Sequence, residues 1–129
     1  MRHSAKFAAL VFALALAGCN TMPIQNVSDA PVTSASGTPL SNEQVRGAIL
    51  RAGSTLGWQM RDDGPNKLMG TLQLRGHMAV VEIPYNSRSY SVKYRSSTGL
   101  DEKDGNIHKN YNGWIQNLTR GINAQLSAS

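Results

Sequence analysis

The sequence predicts an α+β domain in two layers, a four-stranded antiparallel meander packed on two helices in the order α-β-β-β-β-α. Three observations predict it. Apolar residues recur at helical spacing at both ends of the block from 41 to 129. Four short runs of alternating polarity lie between them, and the turns joining those runs leave no room for a crossover helix. The size agrees: 129 residues, 16% charged and 40% hydrophobic, suffice for one small core. They are too apolar for a wholly disordered chain and too polar for a multi-span membrane protein.

Ahead of this block, Arg2 and Lys6 precede an apolar run from Phe7 to Ala17, the pattern of a secretory signal over residues 1–18. Eleven apolar residues are too few for a permanent membrane span, which takes roughly 20. Next stands Leu16-Ala17-Gly18-Cys19, holding the single cysteine of the chain. One cysteine excludes an internal disulfide and a thiolate zinc site. The tetrapeptide resembles the bacterial lipobox. That resemblance implies cleavage before Cys19, a diacylglyceryl thioether on its sulfur and three acyl chains, such as palmitate, in all. Because about 0.8 kcal/mol attends each buried methylene, three chains hold a protein on a membrane permanently. Cys19 is thus a lipidation site and an anchor, not a nucleophile. The resemblance also implies, from Asn20 where Asp would retain the protein, the outer membrane of a Gram-negative cell. Loss of residues 1–18 leaves eleven basic and eight acidic residues, a net charge of +3. That is too little and too dispersed for a dedicated nucleic-acid binder.

Residues 19–40 carry three prolines and many Ser and Thr with no apolar period, which predicts a flexible tether of roughly 25 Å root-mean-square span. Order is expected from Leu40, since Ser41-Asn42-Glu43-Gln44 reads as a capping box with Leu40 and Val45 as its staple. Val45, Ile49, Ala52 and Leu56 then form one stripe of a helix over about 42–54, closed by Gly53 or Gly57. Strands are predicted at Trp58 to Arg61, Lys67 to Arg75, His77 to Tyr85 and Ser89 to Ser96. Leu68, Leu72 and Leu74 are expected on the core face with Ala79, Val81, Ile83, Tyr85, Tyr90, Val92 and Tyr94. Thr71, Gln73, Arg75, Glu82, Lys93 and Arg95 face water. A second helix over about 106–126 is predicted from Ile107, Tyr111, Trp114, Leu118 and Ile122, capped by Asp104 or Asn106.

Within that helix, Ile107-His108-Lys109-Asn110-Tyr111-Asn112-Gly113-Trp114-Ile115-Gln116-Asn117-Leu118, supported by Tyr90-Ser91-Val92-Lys93-Tyr94, resembles a family of small proteobacterial lipoproteins of the Burkholderia type. The likeness covers roughly 41–122. It implies an outer-membrane address, on the periplasmic or cell-surface side, an envelope role and antigenicity. No catalytic residues come with it.

Asn106, Asn110, Gly113, Asn117 and Gly121 fall within about 80° on the second helix. Two glycines inside a helix cost about 1 kcal/mol each, so either close packing of the first helix or a ligand must offset them. Packing is the simpler account. On the ligand account, Asn110, Tyr111, Trp114 and Asn117 form a polar and aromatic lip for a glycan or peptide.

His77 and His108 lack partners at metal-ligand spacing, and Asp101, Glu102 and Asp104 lack the closing glutamate of a calcium loop. No metal or cofactor is expected. Alternation places Tyr90 and Tyr94 opposite Lys93 and Arg95, against a nucleic-acid ribbon. Nucleophile, phosphate-loop and zinc-helix motifs are missing, and Ser96, Ser97 and Thr98 have no evident base. The expected protein is a noncatalytic outer-membrane lipoprotein, not an enzyme. Its module binds or braces an envelope protein, or reads peptidoglycan.

Overall fold

The computed structural model describes residues 20–129; the signal segment 1–18 and the lipidation site Cys19 lie outside them. The mixed α+β class is as expected, but the strand number and order are corrected. The strands are β1 (Thr21–Pro23), β2 (Val27–Pro31), β3 (Gln59–Asp62), β4 (Lys67–Leu74), β5 (His77–Pro84), β6 (Ser89–Thr98) and β7 (Asn106–His108). The helices are α1 (Asn42–Thr55) and α2 (Lys109–Ser127). Five strands form one antiparallel sheet in the order β2-β6-β5-β4-β3, and β1 pairs with β7 in a second, two-stranded sheet.

β3 to β6 are the predicted meander. Each begins where turn chemistry ends, and the Arg75-Gly76 step joining β4 to β5 has φ of 48° and 82°, the left-handed pair that a tight hairpin requires. The fifth strand comes from the supposed tether. Val27, Ala30 and Pro31 pair with Val92, Tyr90 and Ser89, with a bulge between Val27 and Ala30, while the Asp29 N–H donates to Ser91 Oγ at 3.0 Å. Pro31 costs the ladder little because it ends an edge strand.

Both helices cover one face of the five-stranded sheet. Val45, Ala48, Ile49 and Ala52 of α1 and Tyr111, Ile115, Leu118, Ile122 and Leu126 of α2 are buried with Leu68, Leu72, Ala79, Val81, Ile83 and Val92. The capping box forms as expected: the Gln44 N–H donates to Ser41 Oγ at 3.1 Å and the Ser41 N–H to Gln44 Oε1 at 2.9 Å. Leu56 and Leu74 depart from the predicted stripes, at 40% and 45% exposed. Each sits at an element end, where the last residue overhangs the layer beneath. On the other sheet face Arg95 bridges Asp63 at 3.1 Å and Glu82 at 3.3 Å, and Lys67 lies 3.7 Å from Asp63.

α2 begins three residues later than predicted, because 106–108 are drawn into β7. Neither Asp104 nor Asn106 caps it. His108 does, its Nδ1 accepting from the Asn110 N–H at 3.1 Å. Ile107 is buried as a strand residue rather than as the first helical apolar position. Among the described residues, no helix is long and apolar enough to cross a membrane.

Candidate functional site

The start of α2 is held by the chain's own N-terminal segment. The Lys109 N–H donates to the Asn20 carbonyl at 3.0 Å, and the Ile24 N–H to the Gly105 carbonyl at 2.9 Å. Asn112, only 9% exposed, clamps the stretch between them: its Nδ2 donates to the Pro23 carbonyl at 3.0 Å, and its Oδ1 accepts from the Gln25 N–H at 3.0 Å. A side-chain amide matches one donor and one acceptor of the passing backbone, so strand and helix are fixed in register.

Beside this clamp runs an open groove of about 630 Å³ between Met22–Gln25 and α2, lined by Met22, Gln25, Lys109, Asn110, Gly113 and Gln116. Gln116 Nε2 donates to Gln25 Oε1 at 3.2 Å and separates it from a second hollow of about 490 Å³ toward Val27, Thr119 and Arg120. The lining offers amide groups, one ammonium and the Met22 thioether. That set can hold polar ligands by hydrogen bonds; it includes no base–nucleophile pair.

The four residues expected to form the lip are dispersed. Asn110 is exposed and lines the groove. Tyr111 is 0% exposed in the core, edge-on to Tyr94 with ring centroids 5.5 Å apart, and its hydroxyl has no hydrogen-bond partner. Burial pushes that phenol well above its usual range. Trp114 is half-buried against the core, and Asn117 is exposed with its Oδ1 taken by Arg120 Nη2. Tyr111 therefore belongs to packing, because the helix turns its side chain inward with Ile115 and Leu118. The two glycines also part company. A Cβ on Gly121 would lie 3.4 Å from Ala52 Cβ and 3.5 Å from Leu56 Cδ1, which is close helix packing, whereas one on Gly113 would meet open space beside the groove.

Asn112, Gln25 and Met22 are the site residues that sequence reasoning missed. Asn112 lies in a helix already rich in Asn, and nothing in its spacing marks it as the buried one. Tyr90 is buried too, its hydroxyl donating to Asn123 Oδ1 at 2.6 Å, with its phenol pushed up to about 12 by desolvation. With Tyr90 and Tyr94 both packed inward, neither ring is presented for base stacking. His77 Nδ1 lies 2.8 Å from the Gly99 carbonyl, a loop-tying contact. Among the described residues, no three His, Cys, Asp or Glu side chains gather as a metal-binding group.

The chain matches no protein-family model, no curated protein and no solved structure.

Proposed function

We propose that this protein is an acylated lipoprotein of the outer membrane, carried there by Cys19, whose α+β module binds or braces another envelope component without catalysing a reaction. The observation that carries the reading is the single cysteine at the end of Leu16-Ala17-Gly18-Cys19, behind a charged and then apolar leader. Asn20 supports the outer membrane as the destination, and the likeness of residues 41–122 to small proteobacterial lipoproteins points the same way. The noncatalytic part is supported by the way the carboxylates are used. Asp62 is tied to Arg46 by two hydrogen bonds of 3.0 and 2.8 Å, and Asp63 and Glu82 are tied to Arg95, so these acids neutralise neighbouring cations.

Cys19→Ala tests the anchor. The variant is expected to keep the fold, since the buried core is built from side chains between Leu40 and Leu126, and to move from the membrane to the soluble fraction; a variant that stays with the membrane overturns the reading.

A second reading, a peptidoglycan or glycan reader, is favoured by one observation: Asn110 lies in the groove with Gln25, Gln116 and Lys109. It predicts that the domain sediments with purified sacculi and that Asn110→Ala weakens this without lowering stability. A domain left wholly in the supernatant overturns it.

A further inference from the structure

We infer that the protein lies with one particular end flat on the lipid bilayer: β1, the start of α2 and the exposed side chain of Met22 between them. The inference rests on the lipoprotein reading above and adds to it the orientation of the domain and the surface that meets lipid.

The argument starts from reach. A flexible tether would let the domain tumble roughly 25 Å from the headgroups. Asn20 is instead already tied to the fold, its carbonyl accepting from the Lys109 N–H, and β1 follows at Thr21. Consecutive Cα atoms lie about 3.8 Å apart, so an acylated Cys19 has no slack between its lipid and the first backbone bond to the domain. Three further ties prevent this segment from peeling away: the β1–β7 pairing, the Ile24–Gly105 hydrogen bond and the Asn112 clamp. The lipid is thereby held within a residue's reach of a fixed point of the fold.

The surface beside that attachment suits a bilayer. Met22 is the most exposed large apolar side chain of the described residues, at 50%, and it stands two residues beyond Asn20. Polar side chains able to stay at headgroup level, Lys109, Asn110 and Gln25, flank it around the groove. The charges on the adjoining loop and β7 are Asp101, Glu102, Lys103 and Asp104. With Lys109 they come to a slight acidic excess, so contact here depends on apolar insertion and on the acyl chains rather than on attraction to anionic lipid. α2 runs away from this end for about 27 Å, at roughly 1.5 Å per residue. At its far terminus the Ala35 N–H donates to the Ser127 carbonyl.

The experiment uses the full acylated protein reconstituted in phosphatidylethanolamine–phosphatidylglycerol vesicles. Because Cys19 carries lipid, Met22→Cys or Ala35→Cys supplies the sole free thiol for a spin label, and both positions are exposed. At residue 22 the label is expected to collide several-fold more often with oxygen dissolved in lipid than with a water-soluble nickel chelate. At residue 35 the ratio is expected to reverse, and 0.5 M salt should change neither, on the charge argument above. Inserting about ten Gly and Ser residues between Asn20 and Thr21 should release the domain and raise nickel access at residue 22 several-fold. Equal nickel access at 22 and 35 overturns the inference, as does a disulfide between two Met22→Cys copies, which would place a second copy on this face. Mass spectrometry of the same sample separates the two failures. An unmodified Cys19 thiol overturns the lipoprotein reading and this inference together; an acylated Cys19 with a water-exposed residue 22 overturns the inference alone.

Discussion

Asn112 and Tyr111 are adjacent buried polar residues on α2 with opposite accounts. Asn112 is satisfied on both its atoms by the backbone of Pro23 and Gln25. Asn112→Ala orphans a partly buried carbonyl and N–H together and is expected to cost about 1 to 3 kcal/mol in urea unfolding. It should also loosen the segment that lines the groove, seen as faster amide exchange at Gln25. The Tyr111 hydroxyl has no partner, so Tyr111→Phe removes a desolvated polar atom and keeps the ring contact with Tyr94. That variant is expected to be as stable as the parent or more stable by up to about 1 kcal/mol. A loss larger than that would reveal a hydrogen bond to the phenol. The spacing of the apolar residues gives Tyr111 its core position, while nothing in the sequence gives Asn112 its clamp. A side chain cannot fill the core and form a rim at once, so the same spacing that buries Tyr111 excludes it from a ligand lip.

The elements with regular patterning were legible, and the ones that break pattern were not. Period-two alternation located β4, β5 and β6, and the capping box located the start of α1 to the residue. β2 escaped because its bulge between Val27 and Ala30, with Asp29 at φ 51°, places inward residues three apart and erases alternation. β1 and β7 span three residues each, too short for any period to show. The late start of α2 has the same origin: Ile107 fits a helical stripe and a strand equally well, and only its pairing with Met22 decides. A test follows at this scale. Deleting residues 20–32 would change stability little if they were a tether. As a paired edge strand their loss should cost about 2 to 5 kcal/mol, at roughly 1 kcal/mol per hydrogen bond forgone, and should uncover β6 to self-association. Urea unfolding and light scattering measure the two effects.

For the molecule as a whole, alkali is the revealing stress. Tyr90, held to about 12, and Tyr111, higher still, are buried in the fold but ionise near 10 in an unfolded chain. Below pH 10 both states keep these protons, and the phenols contribute no pH dependence. Above it the unfolded state loses them first, so stability should fall between pH 10 and 12 with a slope of up to about 2.7 kcal/mol per pH unit. Urea titrations at pH 8 and pH 11 measure this, and Tyr90→Phe combined with Tyr111→Phe should flatten the decline. A parent protein whose stability is unchanged at pH 11 would contradict the burial of both rings.

The seating of β2 against β6 also orders events in time. Asp29 waits for Ser91, 62 positions later, so a chain emerging from its amino end presents its opening stretch long before the partner of that stretch exists. Helices and hairpins with close partners can settle meanwhile, leaving β2 without its ladder. Once β6 arrives β2 can join it, so this edge of the sheet closes only after residues 89–98 have been made.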